Sequence, residues 1–203
     1  MSDAPRLVLA SGSAARRQMM EQAGLSFEVQ PASIDEAAVK AAFLQHKTCM
    51  PLQDLAIALA ESKSLDVSCQ QPDAWVIGSD QVLGLGEIIL SKASHRDEAK
   101  QALLSLRGQT HHLHSGVALA KDGTIVWRHV ETAKLTMRDF SDAWLERYLD
   151  AGGAALTNAV GGYHLEGLGL QLFETVEGDY FTILGMPLLP LLGELRRREV
   201  LPT

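Results

Sequence analysis

Apolar residues along the chain switch between two spacings, the two-residue repeat of strands and the three-to-four-residue repeat of helices, and the switches set out the elements. Leu7-Val8-Leu9-Ala10 is a short apolar run that ends in Ser11-Gly12-Ser13 and passes into a helical stretch from about Ala14 to Ala23, closed by Gly24. Phe27 to Gln30 alternates like a strand, and Ile34-Asp35-Glu36 leads into a helical stretch that fades before Pro51. From Leu52 to Leu65 the apolar positions return at helical spacing. Trp75 to Leu85 and Glu87 to Leu90 read as strands around a Gly84/Gly86 turn, followed by a helix at about Asp97 to Leu106. Strands at His112 to Ala120 and Thr124 to Met137 flank Asp122-Gly123, a strong hairpin signal. A helix at Asp142 to Leu149, a glycine-rich stretch from Ala151 to Gly169, a strand near Leu170 to Glu174 and a last helix from about Leu188 to Arg198 complete the pattern. The glycine-rich stretch is the expected place for mobile backbone. Helices interleaved with hairpins predict an α/β fold with a mixed sheet and flanking helices.

The 203 residues suit one domain, or two lobes sharing one core. With 46% hydrophobic and 21% charged residues the composition is that of a globular protein. A formal charge of -7 argues against a general nucleic-acid surface, so an anionic ligand has to be met by local cations. Cys49 and Cys69 lie far apart with no Cys-x-x-Cys or Cys/His ligand spacing, which speaks against zinc and against a disulfide framework. No apolar run is long enough for a signal-peptide core or a bilayer span, so a cytoplasmic protein without a membrane partner is expected.

Ser11-Gly12-Ser13, between a strand and a helix, would turn backbone N–H groups and two hydroxyls toward one point at a helix N-terminus, where phosphate is attracted. Arg16 and Arg17 in the first turn oppose the helix dipole and so have no capping motive; equally, Ser13 could be a plain N-cap and the arginines solvated. The loop lacks the Gly-Lys-Ser/Thr of a Walker motif. Asp80 sits in Val76-Ile77-Gly78-Ser79-Asp80-Gln81, after an apolar strand, where a carboxylate held at the sheet's end could bind Mg²⁺ and orient water, or serve as a turn residue. Glu36 could act likewise, or simply favour the first turn of its helix.

Leu52, Leu55, Leu59 and Lys63 fall on one helical face, so the lysine either snorkels outward or meets an anion inside. Lys92 is open to a ligand role or to guarding a strand edge. Alternation puts His112 and His114 on one strand face and His111 on the other, a spacing open to a metal but better explained by packing or surface exposure. No Gly-x-Ser-x-Gly elbow supports acyl transfer.

Taken in order, Leu9-Ala10-Ser11-Gly12-Ser13, Ile34-Asp35-Glu36, Lys63, Gly78-Ser79-Asp80-Gln81, Lys92, Leu106 to His111 and Gly185-Met186-Pro187-Leu188 resemble the motifs of the Maf family over nearly the whole chain. The resemblance implies a single elongated α/β domain of two lobes around a cleft, often homodimeric, that hydrolyses nucleoside triphosphates to monophosphate and pyrophosphate. It implies Asp80 as the proton acceptor, a divalent cation (Mg²⁺ or Mn²⁺) held by Asp80 and Glu36, and Ser11, Ser13, Arg16, Glu36, Lys63 and Lys92 as substrate-binding groups. Ser79-Asp80-Gln81-Val82 with Glu166-Gly167-Leu168-Gly169 is similar to the branch that prefers 7-methyl-GTP, in which Ala15, Gln81 and Glu166 occupy the discriminating positions.

The chain departs from that branch at Ala15, where a Trp is usual, and at Ala93, where a Pro usually follows the second lysine. An ionised Glu166 could accept from both the N1–H and the amino group of guanine, and the positive charge of an N7-methylated base would add to the attraction. The alternatives are the dTTP/UTP-preferring activity of the wider family and a non-catalytic nucleotide-binding regulator of division.

Overall fold

The computed structural model describes residues 5–45 and 51–202, leaving Cys49 outside the described residues. The elements run β1 (Leu7–Leu9), α1 (Ala14–Gln22), β2 (Glu28–Val29), α2 (Glu36–Gln45), α3 (Leu52–Ser68), β3 (Trp75–Leu85), β4 (Ile88–Leu90), α4 (Arg96–Leu106), β5 (Thr110–Lys121), β6 (Thr124–Met137), α5 (Asp142–Gly152), β7 (Phe173–Glu177), α6 (Tyr180–Ile183) and α7 (Leu188–Arg197). The sheet is mixed, in the order β2-β1-β3-β5-β6-β7 with β4 paired to β3. β1 lies parallel to β2 and to β3, whereas β4 pairs antiparallel with β3 and β7 antiparallel with β6.

The chain divides into two compact units: one of Met1–Gln81, His114–Glu131 and Asp179–Thr203, the other of Val82–Leu113 and Thr132–Gly178. In the first, the unbroken apolar run of β1 is buried on both faces. Leu7 and Leu9 join Met19 and Met20 of α1, Ile77, Leu119 and Leu191 of α7 in one cluster, while Val8 and Ala10 join Val67 of α3 and Val76 in another. A strand sandwiched in this way has no polar face to alternate with, and each fully buried Leu, Ile or Met contributes roughly 1.5–3 kcal/mol.

Helix α3 lies against the sheet at two glycines. A Cβ on Gly78 would stand 2.1 Å from the Ala60 carbonyl oxygen, and one on Gly116 would stand 2.5 Å from that of Ala56. Only glycine permits this approach.

Several boundaries differ from the sequence pattern. The β3–β4 turn is Gly86-Glu87, with Gly86 at φ 59°, and Gly84 is paired with Ile89 inside the strands. β7 begins at Phe173, because Leu168–Leu172 closes into a 3₁₀ turn. Within the glycine-rich stretch a second 3₁₀ turn spans Gly153–Asn158, and Gly161 and Gly162 adopt φ 77° and 75°. A Cβ on Gly161 would meet Leu83 at 2.7 Å, so this glycine answers to packing as well as to its backbone angle. The Asp122-Gly123 turn forms as the pattern predicts, with both residues at positive φ. No described helix is long and apolar enough to cross a membrane.

Candidate active site

Asp80 lies at the middle of β3 rather than at the sheet's end, 8% exposed, with Ser79 fully buried beside it. The Lys63 ammonium donates to Asp80 Oδ1 at 2.5 Å and stands 2.7 Å from Glu36 Oε1. Of the two fates open to Lys63 on its apolar helix face, the structure shows the inward one, since only 11% of its side chain is exposed. A lysine that enters a protein interior needs anions to offset its lost hydration, and here it has two.

Glu36 reaches this point from the first turn of α2, where Asp35 caps the helix by accepting from the Ala38 N–H at 2.9 Å. Partial burial pushes the Glu36 carboxyl pKa up, but the hydrogen bond and charge of Lys63, together with Lys40 and Arg16, outweigh it and hold the group below its ordinary value. Glu36 is therefore a carboxylate at neutral pH.

Ser13 caps α1, its Oγ accepting from the Arg16 N–H at 3.4 Å. Arg16 is buried rather than solvated: Nε donates to the Gly185 carbonyl at 2.9 Å and Nη1 to Ser11 Oγ at 3.1 Å. Burial lowers its pKa, while the charges of Asp80 and Glu36 pull it back up. The Ser79 hydroxyl, with one proton to give, lies 2.9 Å from the Gly116 carbonyl oxygen and 3.0 Å from the same Gly185 oxygen. Gly185 sits at φ 109°, a conformation that strongly favours glycine. This accounts for the glycine of Gly185-Met186-Pro187-Leu188: it binds the first arginine of α1 and the residue before Asp80 to one point.

Gln81 follows on β3, and its amide nitrogen is 3.0 Å from Ser115 Oγ, 3.1 Å from the Thr182 carbonyl and 3.0 Å from the Ile183 carbonyl. Ser115 Oγ gives its own proton to Thr182 O at 2.7 Å and so accepts from Gln81. The network fixes the amide's orientation. What Gln81 can offer a ligand is its carbonyl oxygen, an acceptor. Thr182 is itself held by Glu131 Oε2 at 2.6 Å and by Asp179, which caps α6. The site thus leans on a short helix that no sequence signal announced.

Ser11, Ser13, Ala15, Arg16, Glu36, Lys63, Asp80 and Gln81 all belong to the first unit, and Ala15 is half-buried on α1. Lys92 and Glu166 belong to the second. Lys92 is exposed and forms a backbone bridge with Val160, and Glu166 Oε1 lies 3.9 Å from His164 Nδ1. His111, also there, is fully buried with Nε2 2.8 Å from the Tyr163 hydroxyl and no partner on Nδ1. Burial, with a smaller push from His112, lowers its pKa to about 4, so it is a neutral packing histidine. Among the described residues no three His, Cys, Asp or Glu side chains converge to hold a metal.

Sequence reasoning passed over Gly116, Ser115 and Thr182. None carries a chemical signature. Gly116 falls in a strand just before the apolar run Val117–Ala120, and a glycine within a strand was the one available clue to a close approach.

Residues 6–198 match the family described as Maf-like protein. The chain is 48% identical over 192 residues to a 7-methyl-GTP pyrophosphatase of Rhizobium etli, covering 95% of this chain and 96% of the relative. It is 50% identical over 190 residues to a nucleoside triphosphate pyrophosphatase of Caulobacter vibrioides, covering 94% of each. A nucleoside triphosphate pyrophosphatase of Paramagnetospirillum magneticum matches at 50% over 196 residues, 96% of this chain and 100% of the relative. The chain belongs to the Maf family.

Proposed function

We propose that this protein is a nucleoside triphosphate pyrophosphatase that hydrolyses 7-methyl-GTP to the monophosphate and pyrophosphate. The observation that carries the proposal is the buried carboxylate of Asp80 on β3, joined through the Lys63 ammonium to Glu36, in a chain 48% identical to a protein of that name. A strand fixes Asp80 against rotation of its backbone, which is what a base that must meet one particular water requires.

The reaction class brings in a divalent cation. Glu36 and Asp80 offer hard oxygen donors from only two carboxylates, which suits Mg²⁺ or Mn²⁺, ions that keep several waters and complete their shells with substrate phosphates. When bound, such an ion would offset the charge of the phosphate oxygens and ease attack at phosphorus. Asp80 takes the proton of the water that attacks the α-phosphorus. Lys63, released toward the triphosphate, meets its negative charge, and Arg16 holds the Ser11 turn in place from behind while adding a fixed positive charge. Lys92 is a further cation for the triphosphate. The Gln81 carbonyl and the Glu166 carboxylate are acceptors suited to the N–H groups of guanine. Ala15 provides no ring to stack on the base. We place the protein in the cytoplasm, where its free, exposed Cys69 thiol would stay reduced, and read it as a homodimer.

Pyrophosphate release measured across 7-methyl-GTP, GTP, dTTP, UTP and CTP with Mg²⁺ or Mn²⁺ tests the assignment. Selective release from 7-methyl-GTP is expected. Preference for dTTP or UTP would keep the reaction class and overturn the base assignment, and binding without release from any of them would overturn both.

A further inference from the structure

The position between Glu36 and Asp80 is already taken by a cation. Lys63 Nζ is 2.7 Å from one carboxylate and 2.5 Å from the other, with its side chain and that of Asp80 each only 11% exposed. Its stem is delivered by α3, which Gly78 and Gly116 seat directly on the sheet, so the ammonium arrives on a rigid support. Arg16, buried close enough to feel the charge of both carboxylates, supplies a second positive group. The two carboxylates face the Lys63 ammonium and the Arg16 guanidinium, and the Lys40 ammonium stands 4.0 Å from Glu36 Oε2, so the group carries no net negative charge. A dication entering it would gain two anions and meet these cations.

We propose that Lys63 is the resident counter-ion of the Glu36–Asp80 pair and competes with the divalent metal for it, so that metal binds well only when a triphosphate draws the ammonium away. The inference rests on the metal assignment made above. It makes metal and nucleotide binding mutually dependent: each ligand removes an obstacle to the other, and the strengthening is reciprocal. It also gives Lys63 two partners in turn, the carboxylates in the free protein and the phosphates in the complex.

The contrary possibility is that Lys63 is a fixed structural partner and the metal uses the remaining carboxylate oxygens. The two differ in what loss of the lysine charge does to metal affinity. Mn²⁺ binding to the nucleotide-free protein, followed by the loss of the free-ion electron paramagnetic resonance signal, separates them. Lys63→Gln is expected to bind Mn²⁺ on the order of tenfold tighter than the unsubstituted chain, since it removes a like charge from beside the ion. Lys63→Arg, which keeps the charge, is expected to stay near the unsubstituted value, and adding Asp80→Asn to Lys63→Gln is expected to abolish the gain. With an α,β-methylene triphosphate present, the unsubstituted protein is expected to gain far more affinity than Lys63→Gln gains.

Equal or weaker Mn²⁺ binding by folded Lys63→Gln would overturn the inference. Should that variant fail to fold on its own, refolding with and without Mn²⁺ decides instead: rescue by Mn²⁺ supports the competition, and failure of rescue rejects it. Pyrophosphate release by the unsubstituted chain tests the underlying assignment separately. Release without tightening in Lys63→Gln would leave the enzyme standing and remove the competition.

Discussion

Gly116→Ala places one methyl group where the structure has no room for it. Its Cβ would lie 2.5 Å from the Ala56 carbonyl oxygen, 2.6 Å from the Ala56 carbonyl carbon and 2.9 Å from the Ile57 nitrogen. All three are backbone atoms of α3, so no side chain can swing aside and the helix itself has to move. Restoring ordinary contact at 3.4 Å or more requires a shift of about 0.9 Å at the closest atom, an overpacking that typically costs 1–3 kcal/mol.

The shift is carried along the helix. Lys63 sits two turns after Ala56, roughly 10 Å along the axis, and its 2.5 and 2.7 Å contacts to Asp80 and Glu36 ride on the same rigid body. A displacement near 1 Å in a catalytic group can lower turnover about 100-fold. Denaturant unfolding and pyrophosphate release, measured on the same preparations, are expected to show both losses. Gly193→Ala in α7 is the control: nothing lies within 4 Å of its Cβ, and exchanging a helical glycine for alanine gains up to about 1 kcal/mol. If Gly116→Ala stayed within about 0.5 kcal/mol of the parent with unchanged kcat/KM, the seating of α3 on the sheet would not be what positions Lys63.

The buried His111 makes stability pH-dependent. Its folded pKa of about 4 lies below the 6.5 of the unfolded chain, so as pH falls the unfolded state takes up a proton first and stability drops through the window from 6.5 to 4. The loss between pH 7 and 5 should be about 2 kcal/mol by chemical denaturation, and should vanish in His111→Gln. Glu166→Gln should lower the ratio of kcat/KM for 7-methyl-GTP over UTP by on the order of tenfold, because an amide offers one acceptor where the carboxylate offers two; an unchanged ratio would remove Glu166 from base recognition. Chelation with EDTA should stop pyrophosphate release without lowering the Tm of the nucleotide-free protein, since ion pairs rather than metal hold Glu36 and Asp80; a marked drop in Tm would show a structural ion instead.

Elements with a strong local signature were legible in the sequence. The Asp122-Gly123 turn, the uninterrupted burial of β1 and the helical face of Leu55 and Leu59 follow from residue type and spacing alone. α6 was not legible, because its four residues barely exceed one helical period and depend on the Asp179 cap. The start of β7 was misplaced because Leu170 and Leu172 are apolar enough for a strand, yet Leu168–Leu172 is a 3₁₀ turn. In the site, the motifs named the charged residues but not their present partners. Arg16 looked like a group facing phosphate and is hydrogen-bonded to Gly185 and Ser11, a pairing across 169 positions that no local pattern encodes. The fixed orientation of Gln81 likewise depends on Ser115, Thr182 and Ile183, residues without chemical conspicuousness.

The most direct test of the central claim, that an Asp80-activated water opens the triphosphate at the α-phosphorus, is hydrolysis of 7-methyl-GTP in ¹⁸O-water with Mg²⁺, followed by mass spectrometry of both products. The expected result is one ¹⁸O in 7-methyl-GMP, none in pyrophosphate, and turnover lowered at least about 100-fold in Asp80→Asn, the loss typical of a missing general base. Label in the pyrophosphate, release of orthophosphate with a diphosphate, or an Asp80→Asn variant as active as its parent would contradict the account.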